Sequence, residues 1–135
     1  MITFDLNWLA VGVSMIANMF IGGLWYGPLF GKRWMKELGF TMEDIEGGQT
    51  WQPYVIAIIN SFLMAFVLAN AIAWVGITAV DEGLLLGLIL WLGFTGFSFG
   101  VNHAFEGRSI QLWAINSGMY LAGLLVMGVI LTLWT

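Results

Sequence analysis

The stretch Trp91–Arg108, WLGFTGFSFGVNHAFEGR, decides the fold class. As far as Phe105 it is the inner part of a run, Gly83–Phe105, that contains no Asp, Glu, Lys or Arg. Such a run holds the roughly 20 apolar residues that cross a bilayer as a helix. The stretch is not inert, however. It carries Gly93, Gly96 and Gly100, then Thr95, Ser98 and Asn102, then His103, the only histidine of the chain, and closes on Glu106 and Arg108. Residues 95, 98, 102 and 106 are three and four apart, so a helix sets them on one stripe.

Working outward, three more charge-free runs appear: Leu6–Gly31, Gly47–Val80 and Ser109–Thr135. Charged residues are only 9% of the chain, against roughly 25% in a soluble domain. The reading is an all-α integral membrane protein, one domain of 135 residues, with four transmembrane helices at about 6–28, 52–75, 83–105 and 110–133. Cysteine is absent, which excludes disulfide frameworks and thiolate chemistry. No basic cluster points to nucleic acid. The first run is expected to be a retained span, because MITFDLNW has no basic residue and no small-residue cleavage site follows it.

Lys32, Arg33 and Lys36 follow the first span, and Arg108 follows the third. The turn between spans 2 and 3 has Asp81 and Glu82 instead. The positive-inside rule then predicts a multi-pass protein of the bacterial inner membrane, with both termini outside the cytoplasm. Trp8, Trp74 and Trp134 fall at one boundary, and Trp25, Trp34, Trp51 and Trp113 at the other, as an interfacial aromatic belt requires. Trp91 lies inside span 3, where its N–H needs a partner. Residues 31–50 read as an interfacial segment: a short helix to Leu38 stopped by Gly39, then a turn capped by Thr41 with Glu43 and Asp44 in it and Gly47-Gly48 after it. Ile59-Asn60-Ser61 and Ile115-Asn116-Ser117 suggest a parallel two-helix repeat.

Every span carries polar groups at membrane depth. Asn18 lies in span 1, Asn60 and Ser61 in span 2, Thr95, Ser98, Asn102 and His103 in span 3. Asn116, Ser117 and Tyr120 lie in span 4. Facing lipid, such groups would be unsatisfied, so two explanations compete. Interhelical glue is one, supported by small-residue pairs at Gly23/Gly27, Gly83/Gly87 and Gly96/Gly100. A polar cavity with Glu106, Arg108, Lys32 and Arg33 at its mouth is the other. Glu106 sits at the carbonyl end of its helix and wants a cation, Arg108 or the Lys32–Arg33 pair. One histidine without cysteine or a carboxylate set is a poor metal or haem site, so no metal and no cofactor is expected. No nucleophile–base set appears, which argues against an enzyme.

The run Gly22-Gly23-Leu24-Trp25-Tyr26-Gly27-Pro28-Leu29-Phe30-Gly31-Lys32-Arg33-Trp34-Met35-Lys36, with Asn102-His103-Ala104-Phe105-Glu106-Gly107-Arg108 later, resembles a bacterial membrane family known as domain of unknown function 1761. Many members have proline after the arginine; Ser109 stands there here. The resemblance implies a small four-span inner-membrane protein and no activity. The functional expectation is an oligomeric channel or transporter for a small solute or ion, its pathway shared among copies of a homo-oligomer because four helices are thin walls for a pathway within one copy. The rivals are a non-conducting structural protein and a binding protein for a lipid or other apolar ligand, with Trp91, Phe94, Phe97 and Phe99 as wall.

Overall fold

A computed structural model describes residues 1–41, 43 and 51–134. The described residues form helices and no strands. Four segments are long and apolar enough to cross a membrane: Trp8–Leu29, Gln52–Val75, Val80–Phe105 and Ile110–Leu133. Of the expected interfacial segment, the turn at Glu43–Gly48 lies mostly outside the described residues.

Local chemistry sets the ends. Helix α1 (Trp8–Leu24) is capped by Asn7, whose side chain accepts from the Ala10 amide at 3.2 Å. It runs into a π turn, Trp25–Leu29, where Pro28 supplies no amide and Gly27 leaves helical geometry. The chain bends there into α2 (Gly31–Leu38), which ends at Gly39 with φ 76°. Helix α3 (Gln52–Val75) starts with Pro53 in its first turn. Helix α4 (Val80–Leu90) carries Asp81 and Glu82 against its amide end. A second π turn, Trp91–Gly96, joins it to α5 (Phe97–Phe105). Helix α6 (Ile110–Leu133) is capped by Ser109, which accepts from the Leu112 amide at 3.1 Å.

Helix α6 is the hub. It packs against α1, α3 and α4, whereas α3 and α4 hardly meet. The order across the bundle is therefore α3, α1, α6, α4. The core sits toward the end that carries Asp5, Asp81 and Glu82, called here the acidic end. Val11, Leu68, Ile72, Leu124, Met127 and Leu131 are buried there. Toward the opposite, basic end the bundle opens, and residues 52–59 of α3 are exposed throughout. The tightest crossing is α4 on α6. A Cβ on Gly128 would lie 2.8 Å from the Gly83 carbonyl oxygen, and one on Gly87 3.1 Å from that of Leu124. Only glycine permits this backbone approach.

Helix α2 lies over the basic end. Trp34 stands edge-on to Tyr26 at 5.4 Å. Glu37 pairs with Arg33 at 3.2 Å and bonds the Ser109 hydroxyl. The Ser109 bond, and then the Arg33 and Lys36 charges, hold its carboxyl below the usual carboxylate range. A lowered value means that Glu37 favours docking at neutral pH and stops doing so as pH falls through that value. A fluorophore on Lys36→Cys should therefore report release of α2 in acid. Glu37→Gln should leave the neutral-pH signal already shifted and abolish the acid step; an unchanged acid step would assign it to another group.

The expected internal repeat is not confirmed. Ser61 accepts from Asn18, but Ser117 donates to the Trp113 carbonyl. Asn60 meets only a sulfur, but Asn116 links two other helices.

Candidate functional site

The polar layer expected from the sequence divides into three groups with different surroundings. The first is dry. Asn18 donates to Ser61 Oγ at 2.9 Å where α1 meets α3, and both residues are buried. Its Oδ1 has no hydrogen-bond partner among the described residues and rests against Gly123, where a Cβ would collide with it. Ser14, one turn earlier, is buried too, and its hydroxyl has no hydrogen-bond partner among the described residues. Ser117 is buried and satisfied by the Trp113 carbonyl.

The second group is a hydrogen-bonded chain at the basic end. Tyr26 donates its O–H to Asn116 Oδ1 at 2.9 Å. The Asn116 amide then donates to His103 Nε2 at 3.1 Å. With Nε2 accepting, the proton of the neutral ring sits on Nδ1, which donates to the Phe99 carbonyl at 2.8 Å. Three spans are joined by these four groups, and Asn116 is the joint. Tryptophans brace the same region. Trp25 donates to the Ile115 carbonyl at 2.8 Å, Trp91 to that of Ser117 at 2.7 Å, and Trp113 to that of Gly96 at 2.7 Å. The indoles of Trp25 and Trp113 thus point at protein rather than at the headgroup layer. Trp91 has the partner that its depth demands.

The third group lines a groove. Because α3 and α4–α5 scarcely touch, a cleft of about 570 Å³ lies between them, floored by α6. Leu63, Met64 and Val67 form one wall, Leu90, Phe94 and Phe99 the other, and Tyr120 and Leu124 the floor. Asn60, Thr95 and Tyr120 bring polar atoms into it. Asn60 has a weak bond to Met64 Sδ at 3.4 Å. The hydroxyls of Thr95 and Tyr120 make no hydrogen bond among the described residues. Phe99 stands edge-on to Tyr120, centroids 5.4 Å apart, and stacks at 6.1 Å on His103, so it touches both the groove and the hydrogen-bonded chain. A smaller cleft of about 360 Å³ lies at the acidic end, with Asp5, Asn7 and Thr78 at its rim over apolar core residues.

The other residues singled out from the sequence lie apart from these groups. Ser98 and Asn102 are exposed on the outer face of α5, although Thr95 and His103 on the same span face inward. Glu106 pairs with Arg108 at 3.3 Å, Arg33 with Glu37, and Lys32 is exposed on α2. Gly23 and Gly27 have open space beside them. Gly96 lies under the Trp91 ring, 2.8 Å from where its Cβ would be, and Gly100 against the Trp113 indole. These glycines seat rings rather than neighbouring backbones. Of the expected aromatic wall, Phe94 and Phe99 line the groove, while Phe97 packs toward Trp113. Tyr26 was the residue missed. Its place in a family signature beside Pro28 masked a phenol at membrane depth. No group of three or more His, Cys, Asp or Glu able to hold a metal ion occurs among the described residues.

A family model described as "Protein of unknown function (DUF1761)" matches residues 9–132. No curated protein and no solved structure matches the chain.

Proposed function

The chain belongs to the DUF1761 family of proteins of unknown function, and we propose that this member binds a small lipid-soluble molecule in the groove between α3 and α4–α5, as a membrane-embedded binding or carrier protein. The observation that carries this reading is the groove itself. It opens sideways at membrane depth and has a volume within the range of ligand pockets. Three polar side chains sit in it with little or no partner, where contact with hydrocarbon alone would leave them unsatisfied. Native mass spectrometry of the protein extracted from its own membranes tests the reading. A retained lipophile is expected, and Val67→Trp, which fills the groove from its rim, should lose it. Equal retention by the two proteins would place the ligand elsewhere; no retained molecule from either would remove the reading.

An oligomeric channel is a second reading. It is supported by the outward Ser98 and Asn102 and by the exposed basic-end half of α3, which a second copy would cover. Within one copy Asn18 is taken up by Ser61 of α3, and Asn116 by Tyr26 and His103. Chemical cross-linking in membranes followed by liposome flux measurements would decide it; monomers without flux would end it. For either reading the orientation we propose has the basic end in the cytoplasm of an inner membrane, from the positions of Lys32, Arg33, Lys36 and Arg108. A phosphatase reporter fused after Thr135 should then be active, and an inactive one would reverse the threading.

A further inference from the structure

The geometry points to a neutral, flat, carbonyl-bearing ring on an apolar tail, the chemistry of an isoprenoid quinone, as the occupant of the groove. This rests on the groove being a ligand site, as proposed above, and adds what the ligand must be. Charge is the first constraint. Among the described residues no Asp, Glu, Lys, Arg or His lines the groove, so an ionic head group would leave water with nothing to compensate it.

Depth is the second. Thr95 and Tyr120 are each ten residues from the basic-end terminus of their span (105 − 95 and 120 − 110), and Asn60 is eight (60 − 52). At 1.5 Å per residue these groups lie roughly 12–15 Å in, about half of a 30 Å hydrocarbon core. A phospholipid keeps its polar head at the surface and offers them only an acyl chain. A lipophile whose polar part travels in the mid-plane is needed.

Hydrogen-bond sense is the third. The Thr95 and Tyr120 hydroxyls each have a proton to donate and no acceptor among the described residues. The Asn60 amide has only a thioether. Three donors without good acceptors select a ligand rich in acceptors, and a carbonyl is the strongest neutral one. Shape is the fourth. Phe94 and Phe99 stand on one wall, and Phe99 is fixed edge-on to Tyr120 at 81°. Ring faces and edges of this kind favour a flat partner. The opening between α3 and α5 leaves the tail in lipid.

The test compares two probes that share a tail and a flat ring: decylubiquinone, with carbonyls, and decylbenzene, without them. Each is titrated into the full chain in detergent, and the saturable rise in melting temperature is read. Decylubiquinone should bind about tenfold or more tightly than decylbenzene, the worth of two neutral hydrogen bonds. Tyr120→Phe combined with Thr95→Val should remove most of that preference, leaving only what the Asn60 amide contributes, with the unliganded melting temperature unchanged, because neither hydroxyl holds the fold. Tyr120→Phe alone, which keeps the ring against Phe99, should erase part of it. Equal affinity for the two probes in the wild-type chain would overturn the carbonyl inference while leaving the groove a ligand site. Saturable binding of neither probe would overturn both, as would disulfide-linked dimers of Val67→Cys in membranes, which would put a second copy in the groove.

Discussion

Gly128→Leu is expected to lower the stability of the protein by about 3 kcal/mol or more, the largest effect of any single change considered. The reason is that both sides of the contact are backbone. A Cβ at position 128 would meet the Gly83 carbonyl oxygen at 2.8 Å, and no rotamer change can relieve that. Helices α4 and α6 must separate, and with them the packing of Leu86 and Leu90 against the buried Leu124 and Met127 cluster. Thermal unfolding in detergent reads the loss. Gly12→Ala is the control: a Cβ there meets nothing within 4 Å, so the change should be neutral or stabilise α1 by up to about 1 kcal/mol. A Gly128→Leu protein that melts like the wild type would mean that the two helices do not cross at that point.

The second large effect is at Asn116. Replacing it with Leu strands the Tyr26 hydroxyl and His103 Nε2 together, each at roughly 1–3 kcal/mol. Asn60→Leu should be close to neutral in stability, since Asn60 gives up only its contact with the Met64 sulfur. A spectroscopic readout separates this account from a general packing loss. In the wild type Nε2 of His103 accepts and the proton stays on Nδ1. In nitrogen NMR of the ring, Asn116→Leu should leave the proton on Nδ1, where the Phe99 carbonyl holds it, and shift the Nε2 resonance alone as that nitrogen loses its donor. If both asparagine variants are equally mild, the chain through Asn116 is not a structural joint.

The four spans were legible in the sequence because charges are so few that the runs between them delimit helices almost unaided. The depth of the polar residues was legible for the same reason. Which way each one faces was not. Thr95, Ser98 and Asn102 satisfy helical spacing, but so do Thr95, Phe99 and His103, and only the neighbouring helices choose the second set. The π turn at Trp91–Gly96 adds to the difficulty. One extra residue in a turn rotates everything after it by about 100° relative to α4, and no residue type announces it.

The glycines make the same point. Gly83/Gly87 and Gly96/Gly100 have the same spacing, yet the first pair meets the α6 backbone and the second receives indole rings. The pattern marks where something can come close; the partner's surface decides what does. Ser109 is a further case. It departs from the proline common at that position in the family, and here it both caps α6 and bonds Glu37 of α2. The groove was out of reach altogether, since it arises from two helices that fail to meet.

That failure to meet is the centre of the account, and a spin label at Leu63, on the α3 wall of the groove, measures it most directly. The cysteine-free chain allows Leu63→Cys to be labelled alone and reconstituted in phosphatidylcholine vesicles. Power saturation then compares relaxation by dissolved oxygen, which follows hydrocarbon, with relaxation by a chelated nickel complex, which follows water. The groove predicts strong relaxation by oxygen and little by nickel. Strong relaxation by nickel would reveal a water-filled vestibule, weak relaxation by both would show that protein covers the site, and either result would contradict a groove open to lipid.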